Sequence, residues 1–187
     1  MNGEGGARHI LSILVENRFG ELCRIVGLFS GRGYNIDSLC VAPTPDPAFS
    51  RIILTTNGND AIMEQIIKQV GKLVRVLEVA DLNEVDHVER EMALLIVKTR
   101  NPAERQEVLN LVGVFRAKVI DIAPDAITVE TTGSQDKVDA LLGLLKPLGI
   151  QDIVRTGAVA IPRISAARGR DETRGPELVV PEADSAV

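Results

Sequence analysis

The chain has 187 residues, of which 45% are hydrophobic and only 3% aromatic, and its formal net charge at pH 7 is −5. Nucleic-acid binding relies on clustered Lys and Arg and on exposed aromatic side chains, so this composition argues against a nucleic-acid partner. No apolar run reaches the length of a membrane span, and the first residues lack the features of a signal or transit peptide. We therefore expect a cytoplasmic protein with aliphatic cores and with Cys23 and Cys40 as reduced packing residues.

The first half of the chain predicts the element order β-α-β-β-α-β. Apolar residues fill nearly every position of a strand over 8–15. Leu22, Ile25, Val26 and Phe29 then recur on one face of a helix that is ended by the glycines of 31–33. The other predicted elements are strands over 34–42, 50–56 and 74–80 and a helix capped within 57–60, with Ile62, Ile66, Val70 and Leu73 as its buried stripe.

The second half repeats this order after a charged segment, 83–91, that we predict to be a linker. Its predicted elements are strands over 92–99, 118–122, 127–131 and 150–161 and helices over 102–116 and 135–146. This order is the split βαβ of ferredoxin-like folds. We therefore predict an α+β protein with two ferredoxin-like βαββαβ domains in tandem, at 8–82 and 92–163. Residues 1–7 and the acidic tail, 164–187, are expected to be disordered.

The two halves match best at a shift of 86 residues, which pairs the helix segment 25–29 with 111–115. The same shift places Ala103, Gln106 and Asp121 at the positions of Asn17, Gly20 and Asn35. The scaffold is thus repeated, whereas the polar turn residues are not.

The turn around Gly20 has the chemistry of a site for a small zwitterion. A glycine at the start of a helix leaves free N–H groups for a carboxylate, and Asn17 offers both a donor and an acceptor. These two residues also fit a simple tight turn and helix cap. Asn35 is predicted to open the next strand, at the other end of the helix, so the two turns meet only if a second copy of the chain brings them together.

No other residues form a convincing chemical site. The only histidines, His9 and His87, lie far apart in sequence, and no cluster has metal-ligand spacing. We find no set of nucleophile, base and orienting group, so no catalytic residue and no metal ligand is assigned. A ferredoxin-like phosphatase would need Arg18 and Asn35 to converge on a phosphate, but the glycine-rich phosphate loop is absent.

Several long motifs resemble the small regulatory subunit of acetolactate synthase (acetohydroxyacid synthase) over residues 8–163. They are ENxxGxLxR and GLFSxRGYNI in the first half, SLxVAPT followed by SR, and HVERE and FRAKVIDI further on. The resemblance implies that the first domain is an ACT domain, an amino-acid sensor that pairs with a second copy. It also implies a non-catalytic protein that activates a large catalytic subunit and makes that subunit sensitive to valine.

By this resemblance, effector contacts fall on Asn17, Gly20, Glu21, Leu22, Asn35 and Ile36, with Asn35 contributed across the dimer interface. No cofactor is expected in this chain, and thiamine diphosphate, Mg and FAD are expected only in the catalytic partner. The exact effector stays open, because one methylene changes affinity by only about 1–3 kcal/mol. An ACT-domain sensor that serves a different enzyme is the alternative interpretation.

Overall fold

The computed structural model describes residues 7–165 and shows two βαββαβ units in tandem. The α+β class and the tandem ferredoxin-like arrangement are therefore confirmed. Disorder was predicted for 1–7 and 164–187, of which 1–6 and 166–187 lie outside the described range. Ala7 is the first residue of β1, so the prediction is wrong there. Within residues 7–165, no helix has the length and apolar character needed to cross a bilayer.

The first unit is a four-stranded antiparallel sheet with strand order β2-β3-β1-β4. Its elements are β1 (Ala7–Glu16), α1 (Glu21–Gly31), β2 (Ser38–Pro43), β3 (Phe49–Gly58), α2 (Asp60–Val70) and β4 (Val76–Asp81). The strand predicted over 34–42 begins four residues late, and 34–37 is a loop. This order leaves β2 and β4 as the two edge strands of the sheet.

The second unit has strand order β6-β7-β5-β8, with β9 also pairing with β5. Its elements are β5 (His87–Lys98), α3 (Pro102–Val114), β6 (Lys118–Ile122), β7 (Ala126–Gly133), α4 (Gln135–Leu145), β8 (Ile150–Arg155) and β9 (Val159–Pro162). Short 3-10 helices lie at Leu82–Glu84 and Lys146–Leu148. The single strand predicted over 150–161 is thus two strands.

The core of the first unit is aliphatic and lies between the sheet and its helices. Alternate residues of β1 (Leu11, Ile13 and Val15) point into it, and Ile25 and Phe29 enter from α1. The predicted helix face is displaced, because Leu22 is 38% exposed while Glu21 is buried. In α2, Ile66 and Val70 are buried as predicted, with Met63 in the place expected for Ile62.

The segment predicted as a linker is mostly ordered structure. The charged residues of β5, from His87 to Arg90, pair with β9, and the preceding 3-10 helix buries Leu82. The prediction missed this strand because its partner lies some 70 residues later in the chain. A third apolar cluster joins the units: Ile10, Ile53 and Leu82, with Ala160 of β9 packed against them. The second unit therefore covers part of the sheet face that the helices leave open.

Candidate functional site

The N-terminus of α1 is open. Gly20 is its N-cap residue and has φ 86°, a left-handed conformation that glycine adopts without a steric penalty. No side chain caps this helix. A Cβ at Gly20 would meet no atom within 4 Å, so space also remains beside the turn. The first-turn N–H groups therefore lack a side-chain acceptor, which is the arrangement that favours an anion.

Asn17 ties this turn to the β2–β3 hairpin rather than to the helix. Its backbone N–H donates to Ala48 O at 2.7 Å, and its Nδ2 donates to Pro47 O at 3.0 Å. The side chain of Asn17 makes no bond to α1, whereas Gly20 is the N-cap residue, so the turn-and-cap interpretation holds for Gly20 and not for the side chain of Asn17. The bonds instead fix the open turn beside the end of β2.

The next two predicted contact residues lie on different sides of α1. Glu21 is only 3% exposed, and its Oε1 lies 3.2 Å from Arg24 Nη1 and from Arg75 Nη1. The two arginines explain how a carboxylate is buried in the first helical turn. Leu22 instead faces outwards beside the fully exposed Phe19, so the open turn has an apolar rim.

Asn35 and Ile36 lie in the 34–37 loop at the other end of α1. Asn35 does not open a strand as predicted; its Nδ2 donates to Asp37 Oδ1 at 2.6 Å, and its carbonyl accepts from Thr56 Oγ1 at 2.6 Å. Asp37 Oδ2 also accepts from Asn57 Nδ2 at 2.5 Å. Ile36 packs against the core. Side-chain bonds therefore order this loop in place of strand pairing.

Within one chain the two groups of predicted residues do not meet. α1 has 11 residues and so separates them by about 16 Å. The structure brings Asn17, Gly20, Glu21 and Leu22 together at one end of α1 and places Asn35 and Ile36 at the other. A site that uses both groups requires a second copy of the chain.

The equivalent turn of the second unit is closed. Thr99 occupies the position of Asn17, since its N–H donates to Asp125 O as that of Asn17 does to Ala48 O. Asn101 then caps α3 by accepting from Glu104 N at 2.9 Å, and Pro102 follows at the first helical position. Glu104 Oε2 accepts from Arg100 N at 2.8 Å, which completes the cap. A side-chain cap therefore occupies the N-terminus of α3.

The register of the internal repeat differs from the predicted shift of 86. The C-terminal bond from Tyr34 N to Phe29 O has its counterpart in the bond from Ala117 N to Val112 O, so Val112 rather than Phe115 matches Phe29. The second unit has no loop equivalent to 34–37, because β6 starts directly after Ala117. Neither the uncapped turn nor the loop at the two ends of α1 has a counterpart at the corresponding ends of α3, although α4 of the second unit also lacks a side-chain cap.

Two further pairs of titratable side chains lie away from this turn. His9 Nδ1 lies 2.6 Å from Asp81 Oδ2, and both side chains are buried. Arg155 binds Glu91 through two hydrogen bonds of 2.6 and 2.7 Å, which raise the pKa of the guanidinium above its ordinary value. Across residues 7–165, no three His, Cys, Asp or Glu side chains are grouped to hold a metal ion.

A βαββαβ unit with an open helix N-terminus, followed by a second unit in which that turn is closed, defines a tandem protein with an ACT-type first domain. Residues 11–78 match the family model of the AHAS small subunit-like ACT domain, and residues 90–164 match that of the small subunit of acetolactate synthase. The chain belongs to the acetolactate synthase small-subunit family, and its ACT domain supports a regulatory, non-catalytic role.

Individual relatives agree with this family. The acetolactate synthase small subunit of Aquifex aeolicus is 45% identical over 83% of this chain and 81% of its own length. The isozyme 3 small subunit of Escherichia coli is 44% identical over 83% of this chain and 96% of its own. The crystal structure of the small subunit from Thermotoga maritima superposes with a TM-score of 0.76 at 39% identity, covering 84% of this chain and 98% of that one.

Proposed function

We propose that this protein is the regulatory subunit of acetolactate synthase in branched-chain amino-acid biosynthesis. It activates the large catalytic subunit in the cytoplasm and confers feedback inhibition by valine, or by another branched-chain amino acid, bound at the interface of two ACT domains. Thiamine diphosphate, Mg and FAD belong to the catalytic partner in this proposal.

The observation that carries the proposal is the uncapped N-terminus of α1 beside an apolar rim. An α-amino acid has a carboxylate, an ammonium group and a side chain, and each needs a different surface. The first-turn N–H groups suit the carboxylate, and the exposed Leu22 suits an aliphatic side chain. The ammonium needs an acceptor, which the side-chain oxygen of an asparagine supplies.

The edge strand β2 of the first sheet offers a surface through which two copies of the chain can pair. β2 pairs only with β3 in the described structure, so its outer edge offers unpaired backbone groups to another strand. Two β2 strands that pair antiparallel around a two-fold axis would make one eight-stranded sheet. β2 spans about 17 Å, close to the length of α1, so the start of one β2 would lie beside the end of the other.

This pairing brings the two groups of predicted residues together. Asn17 is bonded to the hairpin that follows β2, while Asn35 lies just before β2 begins. In an antiparallel dimer, Asn35 of the partner subunit would therefore approach the turn that contains Asn17 and Gly20. Glu21 and Ile36 have a structural part in this site. Glu21 is held by its arginines, and Ile36 packs against the core of the first unit.

Reconstitution with the large subunit tests the proposal. Acetolactate formation should rise when this chain is added to the catalytic subunit, and valine should then lower the rate, with glycine as the inactive control. Sedimentation of the isolated chain should give a dimer. Valine binding without any effect on acetolactate formation would instead favour a sensor that serves a different enzyme.

A further inference from the structure

The contact between Gly157 and Ser38 joins the two units next to the 34–37 loop. Gly157 lies in the bend between β8, which belongs to the second sheet, and β9, which lies against the first unit. Its φ is 74°, and a Cβ at this position would lie 2.6 Å from Ser38 Cβ and 2.9 Å from Ser38 Oγ. Only glycine therefore fits this bend without moving Ser38.

Ser38 is bonded from both units. Its Oγ shares a hydrogen bond of 2.7 Å with Thr55 Oγ1 in the first unit and accepts from the N–H of Ala158, in the second unit, at 3.3 Å. Ser38 is also the first residue of β2, so the 34–37 loop ends on it. Asp37 N–H donates to Thr55 O at 2.9 Å, which extends the same set of bonds into the loop.

The second-unit side of this contact is firmly anchored. Arg155, two residues before Gly157, is bound to Glu91 at 2.6 and 2.7 Å and to Asp139 at 2.8 Å. Thr156 Oγ1 accepts from Met92 N at 3.1 Å. The bend is thus tied to β5 and α4, and movement of Ser38 is transmitted to a rigid part of the second unit rather than to a free loop.

A cleft of about 550 Å³ lies between the two units at this point, and Asp37, Ser38, Arg155 and Gly157 are among the residues that line it. Arg8 of β1, which also lines the cleft, binds Glu89 of β5 through two hydrogen bonds of 3.2 and 2.5 Å. The two units are therefore also joined by an ion pair next to the cleft.

We infer that Gly157 and Ser38 couple the effector loop to the second unit. The inference rests on the proposed function, because the loop carries Asn35. The second unit holds Ser38 in place and so positions Asn35 for the effector. Since coupling between two sites is reciprocal, an effector that fixes Asn35 also fixes the bend at Gly157 and, through it, the second unit.

Gly157→Ala tests the coupling, with Gly149→Ala as the matched control. Both glycines have positive φ, 74° and 104°, but a Cβ at Gly149 would have no neighbour closer than 3.7 Å, and that neighbour is in the second unit. We expect the valine concentration for half-inhibition of the reconstituted enzyme to rise about tenfold in Gly157→Ala, within the range of allosteric couplings. In Gly149→Ala it should stay within twofold of the wild type.

Equal valine responses in the two alanine variants would overturn the inference. Ser38→Ala keeps the Cβ but removes the hydroxyl that is bonded from both units, so it should also raise the valine concentration for half-inhibition. An unchanged valine response in Ser38→Ala would contradict coupling through Ser38. Thermal unfolding of each variant separates this effect from a general loss of stability.

Hydrogen exchange of the ligand-free chain provides a readout that does not depend on valine. The amide of Asp37 should exchange faster in Gly157→Ala than in the wild type and in Gly149→Ala, because its bond to Thr55 O lies next to Ser38. Unchanged exchange at Asp37 would refute the coupling. If valine has no effect on the wild type but Asp37 still exchanges faster in Gly157→Ala than in the wild type, the proposed function is refuted and the coupling between the units is not.

Discussion

The first turns of α1 and α3 occupy equivalent places in two similar units, yet their chemistry is opposite. α3 begins with Asn101 as a side-chain cap and with Glu104 folded back onto Arg100 N, so side chains of the chain itself occupy its N-terminus. α1 begins with Gly20 and has no side-chain cap. The capped turn stabilises a fold, whereas the open turn costs stability and leaves room for an anion.

The two units thus share a fold, whereas the candidate site is confined to the two ends of α1 in the first unit. The two units also differ at the other end of α1, where the second unit has no counterpart to the loop 34–37. A ligand preference is therefore expected only in the first unit.

Gly20→Asp should have the largest effect. It places a carboxylate where the effector carboxylate is proposed to lie, and like charges side by side cost several kcal/mol, so valine affinity should fall at least about 100-fold. Inhibition of the reconstituted enzyme measures the effect. Asn101→Asp in the second unit should leave valine inhibition intact, because aspartate is an equally good cap. Retained inhibition in Gly20→Asp would exclude this site.

Mixed dimers should show that the site is built from two chains. Gly20→Asp and Asn35→Ala homodimers should each lose valine binding. A heterodimer of the two variants keeps one site in which Gly20 and Asn35 of the partner subunit are both intact, so it should regain about one site per dimer. Purification with two different tags followed by calorimetry measures this number. Heterodimers that bind no valine would place both residues in the same chain.

Arg75→Ala should destabilise the first unit by about 1–2 kcal/mol. It leaves the buried Glu21 with Arg24 as its remaining partner, and a buried group that loses a charged hydrogen bond is costly. Arg18→Ala is the control, because Arg18 is largely exposed and lies 3.6 Å from Glu16, so its loss should change stability by less than about 1 kcal/mol. Urea unfolding of both variants measures the change in the free energy of unfolding. Equal midpoint urea concentrations would show that Arg75 does not stabilise the buried Glu21.

Asn101→Ala should have the smallest effect. Loss of a side-chain cap lowers stability by about 1 kcal/mol, which corresponds to roughly 2–4 °C in Tm for a chain of this size. Valine inhibition should not change, since α3 has no part in the proposed site. Calorimetric unfolding measures the shift, and the exposed Gln106→Ala serves as the control. An altered valine response would show that the first turn of α3 affects the effector site.

Much of the fold could be predicted because local periodicity determines it. All four α-helices within residues 7–165 were predicted, and the bounds of β6 agree at both ends, since a helix face or an alternating strand can be read within about ten residues. The start of β5 and the division between β8 and β9 were missed. Both depend on pairing between 87–90 and 159–162, which no local pattern reveals.

Some residues of the candidate site can be recognised in the sequence for the same reason. Gly20 and Asn17 stand out because glycine and asparagine interrupt an apolar pattern at a helix start. The repeat shift was wrong because a slip of one helical turn keeps apolar residues on the same face, so Phe115 mimics Phe29 in sequence. Arg75 and the Gly157–Ser38 contact were missed, since both join residues far apart in the chain.

The effector site is tested most directly by calorimetric titration of L-valine into the purified wild-type chain and into Gly20→Asp, with glycine as the ligand control. We expect saturable heat for valine in the wild type, none for glycine, and loss of the valine heat in Gly20→Asp. Valine binding of equal affinity in both proteins would contradict an effector site at the open end of α1.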